Sequence, residues 1–186
     1  MLNITFRPAT IEDATFVAFV MMEAVGIPVM EDGRLPNDNI KDICHRTDTL
    51  YTYLNATIVE CDGRRVGGLI SYQGKGYHDI KVHTFSLVKD SLSFDAESMD
   101  DETREGEYYL DSAAVIPEYR GKGIGRAIIE YGVSVAENKG LLPVLACDPD
   151  NTNAYTLYTS MGFREDGHLF IFGEDYLRMT KKVDTL

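Results

Sequence analysis

Residues 117 to 127 read PEYRGKGIGRA and gather three glycines and three cations into one short stretch. Gly121, Gly123 and Gly125 alternate with Lys122 and Ile124, and Arg120 and Arg126 stand at the two ends. A strand pattern, EYYLDSAAVIP, precedes them and a helical pattern beginning RAII follows. The first turn of a helix carries unpaired N–H groups at the positive end of its macrodipole, and this is where phosphate binds best. Glycines there let a diphosphate touch the main chain, and the cations add charge at the rim. The chemistry on offer is capture of a small pyrophosphate-bearing anion. Two other phosphate loops do not fit. A P-loop needs Ser or Thr after Gly-Lys, but Gly121-Lys122 is followed by Gly123. The dinucleotide fingerprint needs a glycine three residues after its second, and from Gly123 that place holds Arg126.

One acid interrupts the preceding strand. Asp111 stands in an otherwise apolar run, and a buried carboxylate is costly unless it is paired or faces a cleft. Strict alternation places Asp111, Ala113 and Val115 on one face, with Glu107 on the same parity further back. His45, His78, His83 and His168 show no metal-ligand spacing, so no metal is expected. Cys147 reads as a small buried hydrophobe. No Ser-His-Asp arrangement is legible.

The elements that must position these groups follow from pattern. NITFRPAT, residues 3 to 10, alternates like a strand, and TIEDATFVAFVMMEAV, residues 10 to 25, has helical spacing with Thr10 and Asp13 placed as a cap. A second helix is expected within Asn37 to Leu54. ATIVECDGRRVGGLISY, residues 56 to 72, is a hairpin turned at Asp62-Gly63. The stretch from Gly74 to Gly106 reads as irregular and acidic, with one helix near Ser86 to Phe94. After the glycine loop come a helix stopped by Gly140, the short strand LPVLAC, a helix capped at Asp150 or Asn151, and two strands around Phe163 to Phe172 and Tyr176 to Lys181. The order predicts a mixed α and β sandwich in one domain, residues 1 to 186, with a substrate-side insertion at about 74 to 106.

Bulk composition narrows the partners. The chain has 186 residues and a formal net charge of -12. Its acidic pI near 4.7 argues against nucleic acid, which needs a broad basic face. No apolar run approaches a membrane span, and the start MLNITFRPAT lacks a secretory pattern. Three cysteines without patterned spacing suit a reducing compartment, and the expected location is the cytoplasm.

Two stretches together resemble the GCN5-related N-acetyltransferases. RGKGIG is similar to the family's Arg/Gln-x-x-Gly-x-Gly/Ala signature, with Arg120, Gly123 and Gly125 at its fixed places. NTNAYTLYTSMGF resembles the family's Asn-x-x-Ala-x-x-Leu-Tyr-x-x-x-Gly-Phe helix, giving Asn151, Ala154, Leu157, Tyr158, Gly162 and Phe163. FRPATIEDA is similar to the usual opening and YLRMTKKV to the closing strand. The resemblance implies an α+β, three-layer αβα sandwich around a mixed, mostly antiparallel sheet. It implies acetyl-CoA as co-substrate, its pyrophosphate on the main-chain N–H groups of Arg120, Gly121, Lys122, Gly123, Ile124, Gly125 and Arg126. The strand Ala113, Ala114 and Val115 would bond the pantetheine arm, with Asn151 on the other side.

Acetyl transfer then implies roles. Tyr158 stands at the family's general-acid position, and a phenol of pKa about 10 suits protonation of a departing thiolate. The base is left among Asp111, Glu107 and a chain of waters. The expected acceptor is a primary amine, small molecule or peptide, attacked directly; the rival is a catalytically silent acyl-CoA-binding regulatory module. A second copy of the chain stands among the expected partners. Residues 90 to 107 hold eight acids (Asp90, Asp95, Glu97, Asp100, Asp101, Glu102, Glu105, Glu107) against Arg104. That run reads either as a solvated loop or as a cleft wall steering a cationic amine.

Overall fold

A computed structural model describes residues 2–27, 38–88 and 96–182. The alternating segments form β1 (Ile4–Pro8), β2 (Ala56–Cys61), β3 (Arg64–Gln73), β4 (Glu107–Val115), β5 (Leu142–Cys147), β6 (Arg164–Ile171) and β7 (Glu174–Thr180). The helices are α1 (Ala14–Ala24), α2 (Asp38–His45), α3 (Tyr77–Ser86), α4 (Ile124–Asn138) and α5 (Thr152–Ser160). The strands make one sheet in the order β1-β2-β3-β4-β5-β7-β6. Only β4 and β5 pair in parallel; the other neighbours are antiparallel. Each sheet face buries its own apolar cluster. Val17, Met22 and Ile43 from α1 and α2 pack with Ile58, Ile70 and Tyr109 on one. Ile128, Ile129 and Val133 from α4 pack with Leu69, Leu110 and Leu145 on the other. The result is the mixed, three-layer sandwich that the resemblance implies.

Local chemistry fixes the ends of these elements. Asp62 and Gly63 have φ of 50° and 77°, the pair of positive values a tight hairpin between β2 and β3 needs. Asp13 accepts from the Thr10 N–H at 2.9 Å and from Arg7 at 2.6 Å and Arg65 at 3.1 Å, tying the start of α1 to β1 and β3. Its side chain is buried, and the Arg7 guanidinium beside it holds its carboxyl well below the usual carboxylate range.

Two helices differ from expectation. A helix, α3, runs over Tyr77–Ser86 within the stretch expected to be irregular, and the helix expected near Ser86 to Phe94 falls mostly on residues 89 to 95, outside the described residues. The apolar periodicity of α3 is broken by Lys81, a fully buried lysine that donates to the Met99 carbonyl at 2.7 Å and pairs with Asp101 at 2.7 Å. A charge at a core position hides a helix from pattern reading. The helix expected within Asn37 to Leu54 covers only Asp38–His45, and Tyr53–Asn55 is a single 3-10 turn. Among the described residues, no helix is long and apolar enough to cross a membrane, and no cluster of His, Cys, Asp or Glu is placed to hold a metal.

The feature that makes a site is in β4. Ile70 of β3 pairs with Ser112, but Ser71 pairs with Leu110, so Asp111 is an extra residue in a β-bulge. Before the bulge Tyr109 belongs to the cluster beneath α1 and Leu110 to the cluster beneath α4; after it Ala114 joins the first, and Ala113 and Val115 border the second. The expected parity joining Glu107 to Ala113 and Val115 is thus broken by one inserted residue, while Asp111 and Ala113 still border a common space. On its other side β4 pairs with β5 only from Glu107 to Tyr109. Beyond Tyr109 the two strands part.

Candidate active site

The turn after β4 presents the main chain outward. A 3-10 turn at Pro117–Tyr119 directs the Arg120 N–H to the Pro117 carbonyl at 3.2 Å, so that N–H already has an acceptor within the loop. Among the described residues no carbonyl accepts from the N–H groups of Gly121, Lys122 or Gly123. Those of Ile124, Gly125 and Arg126 lie in the first turn of α4, where no intrahelical acceptor exists. Gly121 and Gly123 have φ of 70° and 82°, which explains them conformationally. Gly125 is helical, and a Cβ there would meet no atom within 4 Å. Nothing in the described fold requires glycine at 125, which fits a groove kept bare for a ligand.

The cations divide in role. Arg120 donates from Nε to the Val115 carbonyl at 2.9 Å and pairs with Glu23 of α1, so it braces the loop instead of standing free at the rim. Lys122 lies 4.7 Å from the centre of the Tyr119 ring, and Arg126 donates to Ser160 Oγ at 2.6 Å. These two keep positive charge beside the N-terminus of α4.

Where β4 and β5 part, a cleft of about 400 Å³ opens, lined among others by Asp111, Ala113, Cys147, Asn151, Tyr158 and Glu174. Asp111 and Tyr158, far apart in the chain, both line it. Asp111 accepts from the Tyr72 hydroxyl and from Ser112 Oγ at 2.6 Å. Burial raises its pKa above the ordinary aspartate range, against the lowering effect of those two bonds. Tyr158 has no hydrogen-bond partner for its hydroxyl among the described residues, and burial, with Cys147 nearby, pushes its pKa up to about 12. Tyr155, one turn earlier, instead donates to Glu165 at 2.7 Å. Asn151 caps α5 by accepting from the Ala154 N–H at 3.0 Å and borders the cleft from the same place. Ala114 turns its side chain into the core and is not among the residues lining the cleft.

Glu107 is elsewhere. It is buried, pairs with Arg178 and with Arg104 at 2.9 Å, and accepts from the Arg104 N–H at 3.1 Å. Among the described residues of the acidic run, the carboxylates serve structure. Asp101 pairs with Lys81 at 2.7 Å, Asp100 accepts from the Phe170 N–H at 2.7 Å, and Glu102 accepts from the Tyr77 hydroxyl at 2.7 Å and from that of Tyr109. None of these three lines the cleft beside Asp111. Asp90 and Asp95 lie outside the described residues. Sequence reasoning missed Tyr72, whose bond to Asp111 depends on the bulge, and Glu174, whose place at the cleft depends on the Phe172–Gly173 turn.

Residues 27–163 match the sequence profile of the Acetyltransferase (GNAT) family. The mycothiol acetyltransferase of Renibacterium salmoninarum is 41% identical over 89 residues, 47% of this chain and 22% of that protein. That of Streptomyces griseus is 28% identical over 160 residues, 86% of this chain and 41% of that protein. The chain therefore spans well under half the length of these curated relatives. Among solved structures, one described as an acetyltransferase superposes with a TM-score of 0.72 at 25% identity, covering 97% of this chain and 100% of its own. An N-acetyltransferase from Staphylococcus aureus Mu50 has the same fold, with a TM-score of 0.72 at 23% identity and coverage of 95% and 99%.

Proposed function

Because the chain belongs to the acetyltransferase (GNAT) family, we propose that it moves an acetyl group from acetyl-CoA to a primary amine. The observation that carries this reading is that Asp111 and Tyr158 line one cleft in a fold that also carries a glycine-bared helix N-terminus. The N–H groups from Gly121 to Arg126 suit the pyrophosphate, with Lys122 and Arg126 as flanking charge. The parted edge of β4 from Asp111 to Val115 suits an arm built of amides. Two solved relatives of the same fold, a PaiA N-acetyltransferase from Thermoplasma acidophilum and an Arabidopsis Naa50, are described in complex with coenzyme A and with a CoA-based bisubstrate analogue.

The reaction needs an amine with a free lone pair and a proton for the leaving thiolate. An Asp111 carboxylate with a raised pKa is a better acceptor of an ammonium proton than an ordinary aspartate. The amine nitrogen then forms its bond to the acetyl carbonyl carbon as the carbon–sulfur bond breaks. The Tyr158 hydroxyl, unengaged by the described protein, gives its proton to sulfur, and the second proton that the nitrogen sheds as the amide forms restores the phenol. Its raised pKa keeps it protonated at neutral pH, as a donor must be. The acidic run is not part of this reading, since its described carboxylates are held by partners within the fold.

The test is thiol release from acetyl-CoA over a panel of primary amines, with Gly125→Leu as the control. Leucine is a better helix former than glycine, so the variant keeps its melting temperature while its side chain fills the groove. Saturable release by wild type and a large rise in the acetyl-CoA KM of the variant are expected. Tight binding of coenzyme A with no release on any amine would replace the enzyme by a regulatory module.

A further inference from the structure

A second, apolar chamber of about 220 Å³ adjoins the cleft. Met22 of α1, Ile43 of α2, Tyr51, Phe85 of α3 and Phe172 from the turn between β6 and β7 line it, and Val25, Glu174 and Tyr176 border both spaces. Glu174 is the only ionisable carboxylate or cation among the chamber's described lining, and it has no ion-pair partner among the described residues.

Phe172 is the informative residue. It and Gly173 have φ of 56° and 85°, the tight hairpin geometry in which Asn-Gly is favoured. A bulky side chain at positive φ is an outlier, and such outliers cluster at functional sites. Here the ring meets that of Phe85 edge-on, with centroids 5.9 Å apart, and forms a wall of the chamber. The turn sequence is poor for the turn and good for the cavity.

Resting on the transferase reading, we infer that the acceptor is a primary amine carrying a compact apolar group, a single ring or a branched aliphatic chain, on a short stem. The apolar group fills the chamber, and the ammonium passes Glu174 to reach Asp111. A cavity of about 150 Å³ lined by apolar side chains holds one benzene ring, so this chamber holds a ring with a short stem. A linear diamine would bury a second charge against methionine and phenylalanine, with only Glu174 to meet it. The same chemistry is offered by a free arylalkylamine and by a peptide whose first side chain is apolar.

The experiment measures acetylation of 2-phenylethylamine, isoamylamine, putrescine and a Phe-Gly-Gly peptide by wild type, Phe172→Asn and Ile27→Lys. Asparagine suits the turn, and Ile27 is an exposed residue at the chamber, so both variants are expected to fold. For wild type, kcat/KM is expected to favour the apolar amines over putrescine by about tenfold or more. Phe172→Asn raises the KM of the preferred amine by about tenfold and leaves the acetyl-CoA KM unchanged. The free amines and the peptide separate the two sources. Equal or better use of putrescine, or an amine KM indifferent to both substitutions, overturns the inference. If no amine is acetylated, the transferase reading falls, and thermal shift with 2-phenylethylamine still decides the chamber. A shift lost in Phe172→Asn supports it, and no shift refutes it.

Discussion

The Tyr72 hydroxyl donates to the Asp111 carboxylate across the bulge between β3 and β4. The bond favours the ionised form of a carboxylate that burial disfavours, and holds it where the strands part. Burial still dominates, so the pKa stays above the ordinary aspartate value of about 3.9.

It follows that kcat/KM falls with acid at a higher pH than an ordinary aspartate would give, because the base works only when ionised. Asp111→Asn removes that limb and lowers kcat/KM by about a hundredfold. Its folded pKa being raised, Asp111 costs stability above that pKa. The Asn variant is therefore expected to melt at or above the wild-type temperature at pH 8. A pH–rate profile and a melting curve, taken together, check both signs.

Tyr158→Phe removes the proton donor and leaves the ring, which packs 6.0 Å from that of Phe163. The expected result is a kcat lowered by about a hundredfold with little change in melting temperature or in the acetyl-CoA KM. An unchanged kcat assigns the proton to solvent.

Asp13 carries a stability prediction. Its folded pKa is depressed, so its contribution is full above the unfolded value of about 3.9 and is lost as pH falls toward the folded one. Asp13→Asn is expected to cost about 2 kcal/mol at pH 7, and the gap to wild type narrows below about pH 4. Urea unfolding at the two pH values measures it.

Lys81→Met tests the buried anchor of the segment after α3. Methionine fills the stem but leaves the Met99 carbonyl and Asp101 without the ammonium. A loss of about 3 kcal/mol is expected, with acetyl-CoA KM unchanged, as read by denaturant unfolding and steady-state kinetics.

Much of this was legible in the residues, for physical reasons. The Asp62-Gly63 turn, the glycine loop and the Asn151 cap are each dictated within a few positions of chain, and each stands where its local chemistry puts it. The bulge at Asp111 was not legible, because one inserted residue has no compositional mark and yet reverses the parity of everything after it. Nor was the chamber, whose walls come from Met22, Ile43, Phe85 and Phe172, four ordinary core residues until the fold collects them. Lys81 concealed α3 for the opposite reason, being a core residue of surface type.

A sheet that comes apart midway has raw edges in its own interior, and raw edges invite another strand to zip on. Nature commonly guards such borders with a charge aimed at the intruder. Asp111 sits on this border, so the carboxylate proposed as a base also makes the gap inhospitable to a second polypeptide. An Asn at that position would disarm the sentry too, leaving a protein that is slower at its chemistry and stickier toward its own kind.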